Sequence, residues 1–211
     1  MAEPDAPPPF FVGNALPDVL AATGAGRLRS HHVAACPDPD LTRGIALHLA
    51  ADRQFHSSPG FLEGVASASA ALRSTPFAVP PRRVFFLAHV FFELALDAVL
   101  LRRDAGIADD LYARFDACDL DAVAGAVAAI PGCAAGAPGV AAALSRWAGV
   151  RYLYDYARDD GLANALHRIS LRAGLEGFPD LRDRDRLSGL FAAFLPRAAA
   201  AGPALWVVPP R

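Results

Sequence analysis

The sequence predicts an all-α fold, a single-domain helical bundle, and three observations carry that prediction. Alternating β-branched runs of strand length hardly occur. Ala, Leu and Arg instead fill long segments in which apolar residues recur at helical spacing. Proline and glycine clusters then divide those segments where helices would end. The spacing predicts helices over 16–23, 41–55, 60–73, 82–102, 107–115, 119–130, 139–158, 160–174 and 183–200.

Each element has a local reason. Gly13-Asn14 reads as a turn ahead of the first helix, and Pro17 suits its first turn. Asp40 is placed to cap the second, because a short acidic side chain accepts from the free N–H groups of a helix start. Ser58-Pro59-Gly60 stops that helix, and Pro80-Pro81 opens the fourth. Val123 to Leu144 is 22 residues without a charge. It is mainly Ala and Gly, and Pro131-Gly132 and Pro138-Gly139 break it, so it predicts two short helices rather than a membrane span. Gly174 and Gly177-Phe178-Pro179 separate the last two helices. The proline-rich residues 1–9 are expected to be disordered, residues 10–201 to form the helical domain, and 202–211 to be an irregular tail.

A chain of 211 residues with 54% hydrophobic residues can bury one core and is not a disordered protein. Its formal charge of −2 excludes a strongly basic nucleic-acid binder. All 20 basic residues are arginine. Cys36, Cys118 and Cys133 are an odd number without CxxC spacing, which favours a reducing compartment. The first residues lack a basic region followed by an apolar stretch, so a secretory signal is not expected and the expected location is cytoplasmic. GxGxxG, Walker A, GxSxG and HExxH motifs do not occur.

The chemistry-bearing residues concentrate in two stripes. His48, Asp52 and His56 stand at i, i+4 and i+8, and so do His89, Glu93 and Asp97. On a helix, each such triplet forms one slowly drifting row. The second row lies in a helix that is apolar nearly all round, where isolated carboxylates are costly unless paired or metal-bound. A divalent cation between two antiparallel helices would neutralise Glu93, Asp52 and Asp97 together. Imidazole with carboxylate suits Mn, Fe, Zn or Mg. His48, Asp52, His89 and Glu93 lead as ligands. His56, at a helix end, is either a further ligand or a residue behind the ligands or facing substrate. Asp97 is either part of the site or the partner of Arg102 or Arg103, and Asp18 is either an oxygen ligand or a solvated helix-start acid. His31-His32 reads as a solvated loop or the mouth of a substrate site, and His167 as structural.

The order of short motifs resembles the acyl carrier protein phosphodiesterase family. It runs Gly13-Asn14-x-Leu16-x-Asp18, Gly44-Ile45-x-x-His48-x-x-x-Asp52, then Arg82-Arg83-Val84 and an apolar helix bearing acids. It continues through Trp147, Arg151-Tyr152 and Phe191-x-x-Phe194-Leu195-Pro196-Arg197, covering nearly all of the chain after Phe10. The family is helical and related to the HD metal-dependent phosphohydrolases. The resemblance therefore implies manganese-dependent hydrolysis of the phosphodiester joining 4′-phosphopantetheine to a serine of acyl carrier protein. By position it assigns the family's essential acid to Asp18, and its His-x-x-x-Asp pair to His48 and Asp52. The chain has His89-x-x-x-Glu93-Leu94 where the family shows Asp-x-x-x-Asp-His, so the ligands are altered and another small phosphoester is the rival substrate. Asp18 or Asp97 is then the proton acceptor. Arg82-Arg83, Arg102-Arg103 and the arginines at 182, 184 and 186, the last diluted by Asp183 and Asp185, are expected to meet the acidic carrier protein, with His31 and His32 near the substrate. A non-catalytic helical interaction protein is the alternative from a different class.

Overall fold

The computed structural model describes residues 5–131, 133 and 136–205, and among these the chain is helical throughout, without strands. Ten α-helices follow one another: α1 (Pro8–Thr23), α2 (Ser30–Val33), α3 (Pro39–Ser57), α4 (Pro59–Ser74), α5 (Val84–Arg103), α6 (Gly106–Asp116), α7 (Leu120–Ala128), α8 (Gly136–Val150), α9 (Asp159–Arg172) and α10 (Leu181–Leu205). A 3₁₀ helix, Tyr152–Ala157, precedes α9. The single domain expected over 10–201 divides into two compact units. The first holds residues 5–54 and 109–151, and the second 55–108 and 152–205.

In the first unit, α1 and α3 meet backbone to backbone. A Cβ on Gly13 would lie 2.5 Å from the Leu41 carbonyl oxygen, and one on Gly44 2.0 Å from that of Phe10. Gly13-Asn14 is therefore no turn. It sits inside α1, which starts at Pro8 and carries Pro17 in its interior. The breaker reading fails because this glycine serves contact between helices rather than chain reversal. Ala6 is buried and Pro8-Pro9 are helical, so the expected disorder does not hold for this part of 1–9; Met1–Pro4 lie outside the described residues. Asp38, not Asp40, caps α3, accepting from the N–H groups of Asp40 and Leu41 at 2.9 and 3.0 Å. Asp40 instead pairs with Arg43. The uncharged stretch from Val123 does form two helices, α7 and α8, but Pro138-Gly139 is no break: both residues lie in the first turn of α8, where a proline without an N–H is tolerated. Trp147 packs against Phe115 and Tyr112, with ring centroids 4.5 and 5.5 Å apart. The helix expected over 139–158 breaks because Arg151 adopts a left-handed φ of 51°, with its guanidinium held by Asp116 at 2.5 Å.

The second unit is organised around α5, half of whose 20 residues are buried. Phe91 stacks on Phe191 at 4.0 Å, Phe92 meets Phe194, and Ala78 just before α5 bonds Asp183 near the start of α10. These pairings run in the same order, so α5 and α10 are parallel. Arg102 near the end of α5 pairs with Asp159 at the start of α9, and Leu87 lines a small cavity with Ser170, so α9 is antiparallel to both. The helix expected from 82 begins at Val84 because Arg83 is left-handed (φ 50°). By length and composition α5 could cross a membrane, so the exclusion argued from Val123–Leu144 does not extend to it. Residues 202–205 of the expected irregular tail continue α10, and Trp206 and the residues after it lie outside the described residues.

His167 is structural, as expected. Its Nδ1 accepts the Phe178 N–H at 2.9 Å, and burial, aided by the charges of Arg184 and Arg168, holds its pKa below the ordinary value. Asp183 is a stronger brace. The carboxylate is almost wholly buried, accepts the Ala78 N–H at 2.9 and 3.0 Å, and pairs with Arg186 at 2.6 Å. Burial alone would push this carboxyl up. The N–H groups of Ala78 and Val79 and the Arg186 guanidinium outweigh that and hold it below its ordinary value of 3.8. The stability it contributes is present above pH 3.8 and is lost as pH falls through the lowered folded value. Asp183→Ala should cost about 2–3 kcal/mol at pH 7 in a urea titration. The difference from the parent should shrink in strong acid.

Candidate metal centre

The short break between α3 and α4 builds one side of the site. Ser58 caps α4 by accepting the Phe61 N–H at 3.2 Å while its own hydroxyl donates to the Phe55 carbonyl at 2.7 Å. Pro59 then occupies the first helical position, where a missing N–H costs nothing. This tight linkage sets the His56 ring 4.8 Å from the ring of buried Phe61. Phe61 in turn lies edge-on to His89 at 5.0 Å and so forms an apolar wall behind both imidazoles.

The other side comes from α5, where His89 and Glu93 are one turn apart. His56 Nε2 lies 2.7 Å and His89 Nε2 3.2 Å from the same atom, Glu93 Oε1. The two imidazole rings are 4.7 Å apart. One ligand atom from each of the three residues falls within 4.8 Å of the others, and among the described residues this is the group of three that does so. Metal bonds of about 2.0–2.2 Å place neighbouring ligand atoms roughly 3–3.5 Å apart, so the trio needs only small adjustments to close on an ion. Each side chain is about a third exposed.

Burial pushes the Glu93 carboxyl up, but hydrogen bonds from His56 and His89, with their attraction for a carboxylate, more than offset it. The net result is a pKa below the ordinary 4.5, so Glu93 is ionised near neutrality. An ionised carboxylate only accepts hydrogen bonds, and each imidazole therefore donates from Nε2. Coordination of a cation through these nitrogens would require both neutral rings to carry their proton on Nδ1 instead. Two imidazoles and one carboxylate make a donor set that fits a divalent transition metal.

The other expected residues are distributed as follows. His48 and Asp52 belong to the first unit. There His48 Nε2 on α3 lies 3.7 Å from Asp18 Oδ1 on α1, a loose pair whose carboxylate is 80% exposed. Asp97, one turn beyond Glu93, is exposed, while Arg102 pairs with Asp159. His31 and His32 stand in the one-turn helix α2 rather than a loop, with rings 4.0 Å apart. His32 Nδ1 is buried and has no hydrogen-bond partner among the described residues. Arg82 and Arg83 are exposed ahead of α5, and the Arg83 guanidinium lies over the Phe86 ring. Phe61 escaped the sequence reading. Its signal was an aromatic residue just past the Ser58-Pro59 helix start, five positions from His56. No family model, curated protein or solved structure matches this chain.

Proposed function

We propose that His56, His89 and Glu93 hold a divalent metal ion and that the chain is a metal-dependent phosphoric ester hydrolase. The observation that carries this reading is the convergence of two imidazoles and an ionised carboxylate from separate helices on one point. The motif order that resembles acyl carrier protein phosphodiesterases makes manganese the leading ion and the phosphopantetheine–serine phosphodiester of holo-acyl carrier protein the leading substrate. When bound, the ion supplies Lewis acidity toward a phosphoryl oxygen. The protein's own part is to anchor that charge and to present an apolar wall, Phe61, behind it. Asp97, exposed one turn further along α5, is the acid on this helix assigned to accept a proton.

A second reading draws on the hydrogen bonds from both imidazoles to Glu93, which satisfy the trio without an ion and suit a non-catalytic helical protein. Elemental analysis of the purified chain separates the two. Near-stoichiometric Mn, Fe or Zn, lost in His89→Ala, supports the hydrolase. Absence of metal together with no stabilisation by added Mn or Zn supports the interaction protein. Assay with holo-acyl carrier protein and Mn then tests the substrate. Hydrolysis of a generic phosphodiester without phosphopantetheine release would move the assignment to another small phosphoester.

A further inference from the structure

Three helices of the second unit terminate at one end. Because α5 and α10 are parallel and α9 is antiparallel to them, the starts of α5 and α10 and the last turn of α9 share a level. The segment before α5 joins them there: Ala78 bonds Asp183, and Val79 to Arg82 line a small cavity with Ser170 and the 175–178 loop. This end is unusually apolar for a surface. Val79, Phe85, Leu171 and Leu181 are each about half to two-thirds exposed, and they are half of the large apolar side chains exposed in the described structure. It is also basic. Arg82, Arg83, Arg172 and Arg182 are exposed around the same helix ends, and none forms an ion pair among the described residues. The acids nearby are Glu176, Asp180, Asp183 and Asp185; Asp180 accepts the backbone N–H of Arg182, buried Asp183 is held by Ala78 and Arg186, and Asp185 is exposed.

We infer that this end of the second unit docks on the surface of an anionic lipid bilayer. Scattered protruding apolar side chains, rather than a groove, suit a fluid surface that accepts insertions without shape matching. Unpaired guanidiniums beside them suit phosphodiester headgroups, which they bind in bidentate fashion while their stems lie along apolar surface. Binding of this kind adds buried apolar area to electrostatic attraction and weakens with salt. The inference is independent of the metal centre.

The test is sedimentation of the full chain with vesicles. It should bind phosphatidylcholine vesicles containing about a quarter phosphatidylglycerol, bind pure phosphatidylcholine far more weakly, and detach between about 0.1 and 0.5 M NaCl. Arg82→Gln with Arg83→Gln should weaken binding about 25-fold, roughly five-fold per arginine. Phe85→Ser with Leu181→Ser should weaken it comparably. Leu62→Ser removes an exposed apolar side chain next to Gly60, which backs onto Leu205 at the far end of α10, and should change nothing. Thermal melts of each variant establish that it is folded. Equal binding to neutral vesicles, no binding to anionic ones, or indifference to both double variants would overturn the proposal. So would concentration-dependent self-association abolished by Phe85→Ser without vesicle binding, since that assigns the end to a second copy of the chain.

Discussion

In the Glu93→Gln variant, added manganese should no longer raise the melting temperature, and metal affinity should fall by about 100-fold or more. Groups that only orient a ligand typically cost 10–100-fold, and Glu93 would be the one anionic ligand of its set. Glutamine keeps the shape and one carbonyl oxygen but removes the charge that both imidazoles address. In the parent chain, metal at a hundred-fold excess over its Kd should add about 2.7 kcal/mol of stability. The variant separates the two readings of the site. If the trio is only a hydrogen-bonded brace, Glu93→Gln lowers stability equally with and without metal. If it is a metal centre, the variant's deficit widens when metal is added, because only the parent gains stability from the ion.

Gly44→Ala should destabilise the first unit by about 3 kcal/mol, even though alanine favours an isolated helix by about 1 kcal/mol over glycine. The added methyl would sit 2.0 Å from the Phe10 carbonyl oxygen and 2.8 Å from the Asn14 nitrogen. Both are backbone atoms, so α1 as a whole must move. Gly13→Ala strikes the Leu41 carbonyl oxygen from the opposite side. One separation of the two helices relieves both clashes, so the double variant should lose less than the sum of the singles. Gly125 in α7 has open space within 4 Å of where a methyl group would be added, and Gly125→Ala should stabilise by several tenths to about 1 kcal/mol. Urea titrations of the four proteins test the set. A stabilising Gly44→Ala would mean the helices do not approach as described.

Helix existence was legible wherever local chemistry decided it. Pro59 after Ser58 marks an end that tertiary packing respects, whereas Pro138-Gly139 falls inside the start of α8 rather than between helices. What escaped depends on partners remote in sequence. Gly13 looks like a breaker in isolation and becomes a packing contact only once Leu41 is brought to it. Arg83 sets the start of α5 and Arg151 ends α8 through left-handed backbone that no propensity of arginine announces. The candidate site was legible on α5, where His89 and Glu93 are one turn apart. Its third member was less so. His48 and His56 are both histidines of the same α3 row, but eight residues of helix rotate them by about 80°. A row at i, i+4 and i+8 names the face of a helix and not the position along it that meets a neighbour. The pairing of His56 with residues 33 and 37 positions later is a tertiary fact.

The interleaved make-up of the two units has a consequence for synthesis. Everything described in the first unit has been supplied once residue 151 has emerged from the ribosome, whereas the second lacks α9 and α10 until residues 159–205 have followed. Until then α5 presents Phe91 and Phe92 without the rings of Phe191 and Phe194, and the Ala78 amide waits 105 residues for its carboxylate. The most oily rod of the protein is thus the one whose shelter arrives last, and nascent chains stalled between α5 and α10 should be the species that a chaperone holds.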